Sequence, residues 1–228
     1  MMQAEFDRIP SGIVGLDEMI EGGFPLPSVV LVSGSAGTGK TTFAQKFLFE
    51  GVRKGEQGIY FTTLSEPSEW MLRFVSRYGF VKKEAFGREI ICVDLGSELR
   101  ETRPYEVLSF MDERIKEIEP QRIVIDPITA VGCSQDPGYR NFLYDMTNHL
   151  KKWNVVSIVT GEVHPGQLYP PDIAYAVDGI ILLYMDQEGD ARRKYLEVLK
   201  MRGTNHVTGK YAMDITSSEG IVVLRAQS

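Results

Sequence analysis

Cysteine and histidine are both scarce in this sequence of 228 residues, which contains two cysteines and three histidines. Two cysteines are too few for the disulfide framework of a small secreted domain, and three histidines leave little material for a zinc site. The N-terminal residues lack the basic and then apolar pattern of a signal peptide. The longest apolar run, near residues 180–184, is far too short to cross a bilayer. We therefore expect a cytoplasmic protein with no membrane insertion.

Positive charge is also in short supply, with 25 Lys and Arg residues against 31 Asp and Glu residues and a net charge of −6. Proteins that coat nucleic acid neutralise its phosphates with basic side chains, so this balance argues against nucleic acid as a partner. The hydrophobic fraction of 43% and the charged fraction of 25% are ordinary for a globular protein. Because no low-complexity segment, linker or internal repeat is visible, the length predicts a single domain over residues 1–228.

Strand-like and helix-like segments alternate along the first 178 residues. β-branched runs predict strands at 29–33, 59–63, 89–93, 122–126 and 155–160. Helical spacing of apolar residues predicts helices at 40–52, from Pro67 to Gly79, at 107–118 and at 142–150. Four strand-like segments then follow without a helix, at 180–184, 194–201, 211–215 and 221–224. The pattern predicts an α/β fold with a mostly parallel central sheet, flanking helices and a C-terminal antiparallel hairpin region.

A glycine-rich segment lies between the first predicted strand and the first predicted helix. It consists of Gly34, Ser35, Ala36, Gly37, Thr38, Gly39, Lys40 and Thr41, followed by Thr42. Glycines let successive backbone N–H groups point inward, and the positive end of the following helix adds to their field, so the segment can hold the phosphates of ATP. Lys40 would reach the β- and γ-phosphates, and the Thr41 hydroxyl would bind Mg²⁺. The alternative is a glycine-rich turn that only opens a helix.

Two acidic residues near the ends of other predicted strands complete the candidate site. Asp126 ends an apolar strand, where a carboxylate is costly unless it meets a cation, and we interpret it as the carboxylate on the Mg²⁺ side. The alternative is an Asp that opens the turn continued by Pro127. Glu66 follows the second strand and is the candidate to orient the attacking water. Its alternative role is that of an acid at a helix N-terminus.

Three stretches resemble the KaiC-like ATPases of the RecA superfamily and together span most of the chain. The first runs from Arg8 to Asp17 and continues through Gly22 and Gly23 into the glycine-rich segment, the second is 126–130, and the third is 199–206. The resemblance implies a RecA-like P-loop fold and slow hydrolysis of ATP in a regulatory or signalling role. It also implies that Thr160 lies where related ATPases carry a group that senses the γ-phosphate. The alternative is that Thr160 simply ends its strand.

In that family the third stretch reaches the nucleotide of the neighbouring subunit. The resemblance implies that Lys200 and Arg202 contact the γ-phosphate in trans, with Thr204 and His206 nearby, in a homo-oligomeric ring expected to be a hexamer. Residues two apart on a strand project from one face, so the two cations could neutralise charge on a transferring phosphoryl group. The alternative is a solvated basic edge that discourages sheet-to-sheet aggregation.

Two departures from the family pattern bear on activity. KaiC has tandem ATPase domains whereas this chain has one, and family members often carry paired glutamates where Ser65 precedes Glu66 here. A nucleotide-gated switch with little turnover and an unknown protein partner, like the KaiC-like archaellum component FlaH, is therefore one alternative. A DNA recombination or repair ATPase is another, but residues 130–138 and 162–191 contain no Lys or Arg to hold DNA phosphates.

Overall fold

A nine-stranded sheet forms the centre of the protein in a computed structural model that describes residues 7–63, 73, 75–101, 104–131, 138–164 and 166–224. The strands of this sheet and of a separate two-stranded sheet are, in chain order, β1 Arg8–Ile9, β2 Phe24–Pro25, β3 Ser28–Gly34, β4 Gly58–Thr62, β5 Ile90–Asp94, β6 Arg122–Asp126, β7 Val156–Glu162, β8 Gly179–Glu188, β9 Ala191–Met201, β10 Lys210–Thr216 and β11 Gly220–Val223. Their order across the large sheet is β11, β10, β9, β8, β3, β7, β6, β4 and β5, while β1 pairs separately with β2.

Helices flank this sheet and connect its parallel strands. They are α1 Lys40–Lys54, α2 Leu95–Glu101, α3 Pro104–Ile118, α4 Tyr139–Lys152 and α5 Pro171–Ala174. A left-handed glycine ends α1: Gly55 has a φ angle of 77°, and its N–H donates to the carbonyls of Gly51 and Val52. Within the described ranges, none of the helices combines the length and the apolar character needed to cross a membrane.

The strands from β8 to β5 run parallel, and β9, β10 and β11 extend the sheet in antiparallel fashion. Hydrophobic residues pack on both faces of the parallel part. In β3, Val30 and Val32 join the core on the side of α1, whereas Val29 and Leu31 join the core on the side of α3 and α4. Alternate residues of a strand point to opposite faces, so the continuous apolar runs of the central strands suit a sheet that is covered on both sides.

The predicted fold class is confirmed, including the antiparallel hairpins after Asp178. Gly189 and Asp190 join β8 to β9, and residues 217–219 join β10 to β11, both within the predicted turns. β1 and β2 were not predicted, because strands of two residues are too short to show a period. Most of the helix predicted from Pro67 to Gly79 lies outside the described residues.

Arg122, at the start of β6, is a fully buried charge that joins several elements. Its Nε donates to Glu56 Oε2 at 2.6 Å, and its Nη1 donates to the carbonyls of Pro10 at 2.8 Å and Phe47 at 2.9 Å. Burial lowers the pKa of Arg122, while the hydrogen bond and charge of Glu56 oppose that shift. A single side chain thus ties the N-terminal segment and α1 to the sheet.

Replacement of Arg122 with Met should lower the free energy of unfolding by about 3 kcal/mol, because removing one member of a buried ion pair leaves its partners unsatisfied. Denaturant titration measures this loss. Arg53→Met is the matched control, since Arg53 pairs with Glu50 on the exposed side of α1 and should leave stability nearly unchanged. Equal losses in the two variants would contradict the structural role of Arg122.

Candidate functional site

The glycine-rich segment passes from the end of β3 into the start of α1, at the carboxyl edge of the parallel strands. Gly37 and Gly39 have φ angles of 79° and 107°, which glycine adopts without steric cost. A Cβ on Gly39 would also lie 2.7 Å from Cδ1 of Ile215. Thr38 is buried and donates its hydroxyl to the Ser35 carbonyl at 2.9 Å. The two glycines and this hydrogen bond hold the chain in a tight loop, hereafter the phosphate loop (residues 34–41).

The Lys40 ammonium folds back onto the phosphate loop and donates to the carbonyls of Gly34 and Ser35, both at 2.9 Å. Burial lowers the pKa of Lys40, and the negative charges of Glu162 and Asp126 oppose that shift. These carboxylates are therefore close enough to act on the ammonium. Phosphate oxygens are charged acceptors and form stronger hydrogen bonds than neutral carbonyls, so a bound phosphate would compete well for Lys40.

Asp126 ends β6 at the same edge as the phosphate loop and is almost fully buried. Its Oδ2 accepts a hydrogen bond from the Tyr60 hydroxyl at 2.7 Å, and its Oδ1 accepts one from the Thr160 hydroxyl. Burial raises the pKa of Tyr60 well above its usual value, and the charge of Asp126 adds to the shift, so Tyr60 remains a donor. Thr160 is fully buried, and its hydroxyl is engaged by Asp126.

Glu162 is a carboxylate beside the phosphate loop that sequence patterns did not single out. It ends β7, where it pairs in register with Gly34, and it is exposed. Its N–H donates to Thr129 Oγ1 at 3.2 Å. Neither strand sequence reveals this register, so no local signal pointed to Glu162. Glu66, the predicted water-orienting residue, lies outside the described residues.

The groups at this edge suit a magnesium nucleotide. Thr41 is exposed at the start of α1, and its hydroxyl and the Asp126 carboxylate are the kind of oxygen donors that Mg²⁺ prefers. The N-terminal end of α1 and Lys40 supply the positive charge that phosphates need. Lys194 of β9 adds a second ammonium at the phosphate loop, where it donates to the Gly37 carbonyl at 2.8 Å. The donor set therefore fits Mg·ATP.

Lys200 and the phosphate loop lie at opposite ends of the strands of the sheet. β9 runs antiparallel to β8, so Lys194 lies at the loop whereas Lys200 pairs with Ile180, near the start of β8. At about 3.3 Å per residue, the two lysines lie roughly 20 Å apart along the strand. Within one chain, Lys200 is therefore remote from the phosphate loop.

Arg202 lies just beyond the end of β9 at Met201, where the strand predicted at 194–201 also ends, so it does not share the strand with Lys200 as expected for the pair. The pairing of β8 with β9 is irregular shortly before this point, and Gly203, with a φ angle of 67°, turns the chain directly after it. The two cations nevertheless converge. Arg202 Nη1 donates to Asp178 Oδ1 at 3.2 Å, and Lys200 Nζ donates to the Val177 carbonyl at 2.7 Å.

Positively charged side chains surround Asp178 at this end of the strands. Its Oδ1 also accepts a hydrogen bond from Lys151 Nζ at 3.0 Å, and its Oδ2 accepts one from the N–H of Val29, near the start of β3. Burial lowers the pKa of Lys200, and the charge of Arg202 lowers it further, while Asp178 opposes both. Three cations around one carboxylate form a positively charged patch, hereafter the cation patch (Lys151, Lys200 and Arg202), that an anion could enter.

The turn after Arg202 is tied to the N-terminal segment. Arg8 Nη1 donates to Thr204 Oγ1 at 3.1 Å, and His206 follows in the same segment, which runs from the end of β9 towards β10. The predicted site residues of the described chain thus form two groups. One group surrounds the phosphate loop, and the other lies with Lys200 at the opposite end of the strands.

Comparisons with known proteins identify the family. The sequence profile of the family described as "ATPase: KaiC" matches residues 9–228. The chain belongs to the KaiC family of ATPases. The crystal structure of a KaiC-like protein from the hyperthermophilic archaeon Pyrococcus horikoshii matches it with a TM-score of 0.85 and 32% identity, over 97% of this chain and 100% of that chain. This match confirms that the KaiC-family chain has a RecA-like P-loop fold.

Two curated relatives of this KaiC-family chain differ in length. The circadian clock oscillator protein KaiC of Parathermosynechococcus lividus is 34% identical over 224 residues, which are 91% of this chain but 40% of that protein. A UPF0273 protein of Pyrococcus horikoshii is 31% identical over 232 residues, which cover 95% of this chain and 93% of that protein. The chain thus spans less than half of the KaiC protein. Membership of an ATPase family supports nucleotide binding.

Replacement of Lys40 with Ala should weaken ATP binding by about two orders of magnitude, because charge-assisted hydrogen bonds contribute roughly 1.5–3 kcal/mol. Titration with a fluorescent ATP analogue measures the dissociation constant. Lys54→Ala is the matched control, since Lys54 is an exposed lysine at the far end of the same helix. If Lys40→Ala bound ATP as tightly as Lys54→Ala, the phosphate-loop assignment would be wrong.

Proposed function

We propose that this KaiC-family protein binds Mg·ATP at the phosphate loop, hydrolyses it slowly, and assembles as a ring with ATP between neighbouring subunits. The observation that carries the proposal is the division of the candidate site into two halves. The phosphate loop and Asp126 lie at one edge of the sheet, and the cation patch lies roughly 20 Å away at the other. Within one rigid chain, the two halves are too far apart to contact the same nucleotide. Two copies placed head to tail can each contribute one half.

The phosphate loop and its neighbours hold the nucleotide in the proposed reaction. Lys40 exchanges its hydrogen bonds to the Gly34 and Ser35 carbonyls for bonds to phosphate oxygens. Thr41 and Asp126 hold Mg²⁺, which when bound neutralises charge on the transferring phosphoryl group. The N–H groups at the start of α1 complete the positive surroundings of the phosphates.

Two carboxylates are available to orient the attacking water. Glu66 follows β4 directly before Pro67, and we propose it as the orienting residue on its position in the motif. Glu162 is the competing candidate, because it is exposed beside the phosphate loop and its charge acts on Lys40. A carboxylate next to the phosphate-binding lysine can align a water molecule or accept its proton.

Glu66→Gln and Glu162→Gln separate these roles, because each removes a charge and keeps the size of the side chain. We expect Glu66→Gln to lower the steady-state ATPase rate by about 100-fold or more and Glu162→Gln by less than about tenfold, the range general-base catalysis supports. Phosphate release gives the rates, and ATP titration checks that binding is intact. The reverse order of effects would move the role to Glu162. If the rates were unchanged in both variants, the alternative of a nucleotide-gated switch with little turnover would be favoured.

The positions of the two halves support a head-to-tail assembly. Each subunit presents the phosphate loop on one surface and the cation patch on another, so the contact joins unlike surfaces and repeats from copy to copy. Such an interface closes into a ring when the rotation between copies divides a full turn, and the resemblance to KaiC-like ATPases supports six subunits. In the ring, Lys200 and Arg202 would stabilise charge developing on the neighbour's phosphoryl group, with Thr204 and His206 close by.

Mixing Lys40→Ala subunits with Arg202→Ala subunits tests whether sites are shared. Each variant alone should be nearly inactive, whereas a one-to-one mixed ring should have an intact phosphate loop facing an intact Arg202 at about a quarter of its interfaces. The ATPase rate of the purified mixed assembly measures the rescue. A mixture of Lys40→Ala with the Lys40→Ala/Arg202→Ala double variant is the control, because it cannot form an intact site. Activity no higher than this control would contradict sharing.

A regulatory or signalling role in the cytoplasm, directed at a protein partner, suits this proposal better than DNA recombination. The segment from Glu162 to Ala191, which follows β7 and includes β8, contains no Lys or Arg. Single-stranded DNA is held largely through its phosphates, so such a segment offers little for it to bind. Salt-dependent binding to single-stranded DNA would support the recombination alternative instead.

A further inference from the structure

Tyr60 places a hydroxyl group in the buried core beside β6. It lies in β4 with 4% of its surface exposed, and its hydroxyl donates to Asp126 Oδ2 at 2.7 Å. A buried Tyr hydroxyl needs a hydrogen-bond partner, and a carboxylate is a costly partner to bury unless its own charge has a use. The hydrogen bond between Tyr60 and Asp126 therefore indicates a role for Tyr60 beyond filling the core.

The Asp126 carboxylate is held from both sides. β6 lies between β4 and β7, so Tyr60 approaches Oδ2 from one neighbouring strand and Thr160 approaches Oδ1 from the other. Two donors on opposite sides fix the rotation of the carboxylate group. Each oxygen of a carboxylate has about two acceptor sites. A site on each oxygen thus remains for a metal ion or its bound water.

Tyr60 also links Asp126 to the helix that follows the phosphate loop. The side chain of Gln45, which is fully buried in α1, acts on the Tyr60 hydroxyl and opposes the rise in its pKa. Gln45 lies one helical turn after Thr41, the other proposed oxygen donor to Mg²⁺. The Tyr60 hydroxyl therefore joins the strand that carries Asp126 to the helix that carries Thr41.

We infer that Tyr60 is a positioning residue for Mg²⁺, which acts by holding the Asp126 carboxylate in register with Thr41. The inference rests on the proposed function, in which Asp126 and Thr41 hold the metal ion. Groups that orient metal-binding side chains typically change metal affinity by about 10–100-fold when they are removed. Loss of the Tyr60 hydroxyl leaves Asp126 Oδ2 without its donor and lets the carboxylate turn away from the metal.

Tyr60→Phe removes this hydroxyl and keeps the ring. We expect the free Mg²⁺ concentration that half-saturates binding of a fluorescent ATP analogue to rise about tenfold or more. Analogue binding in EDTA, which depends on Lys40 and not on the metal, should stay within about twofold. Binding of Mn²⁺ to the protein–ADP complex, followed by electron paramagnetic resonance, gives a direct readout that does not require turnover.

Matched variants separate positioning from general damage. Thr160→Val removes the other donor to Asp126 and should shift the Mg²⁺ dependence in the same direction, so the test stands even if Tyr60→Phe folds poorly. Tyr195→Phe removes a different Tyr–carboxylate hydrogen bond, to Glu188 in the β8–β9 hairpin, and should leave the Mg²⁺ dependence unchanged. Thermal unfolding without nucleotide or metal reports the fold of each variant.

Asp126→Asn distinguishes failure of the inference from failure of the proposed function. If Asp126→Asn raises the Mg²⁺ requirement while Tyr60→Phe and Thr160→Val leave it unchanged, the positioning role is wrong and the metal role of Asp126 stands. If Asp126→Asn also leaves the Mg²⁺ requirement unchanged, Asp126 does not hold the metal, and both conclusions are overturned. A raised requirement in all three variants, with normal binding in EDTA, supports the inference.

Discussion

The parallel pairing of β3 with β7 on one side and β8 on the other is the constraint on which both halves of the candidate site depend. Every residue of β3 is buried, and the strand ends directly in the phosphate loop. A Cβ on Gly34 would lie 2.5 Å from the Leu183 carbonyl oxygen, so only glycine fits where β3 leaves the sheet. The loop therefore emerges between two fixed neighbours, and α1 begins with its free N–H groups at the open carboxyl edge of the strands.

The same strand also holds the second half of the site in place. The Asp178 carboxylate accepts a hydrogen bond from the N–H of Val29 at the beginning of β3. It also accepts hydrogen bonds from the side chains of Lys151 and Arg202. The length of one buried strand thus separates the cation patch from the phosphate loop. In the proposed function, another copy of the chain bridges the distance between the halves. This separation is the observation that supports the proposed ring.

Local sequence patterns predicted the parts of the structure that depend on neighbouring residues. The phosphate loop, Asp126 at the end of its strand and the hairpin at Gly189 each follow from a few adjacent residues whose backbone conformation or burial is specified locally. Patterns of this kind also supported the alternation of strands and helices, which the structure confirms.

Contacts between strands that are distant in sequence could not be predicted in the same way. The hydrogen bonds of Tyr60 and Thr160 to Asp126 depend on β6 lying between β4 and β7, and the position of Glu162 beside Gly34 depends on the register of β7 on β3. The irregular pairing of β9 with β8 near Lys200 likewise leaves no trace in the sequence.

The central claim is that a complete site needs two copies of the chain. Light scattering of the unmodified protein, with and without Mg²⁺ and a non-hydrolysable ATP analogue, tests this claim most directly because it measures mass in solution. The account predicts one discrete oligomer, a hexamer, that forms or tightens when the nucleotide is bound. A monomer under every condition would contradict the shared site and leave the phosphate loop to act within a single subunit.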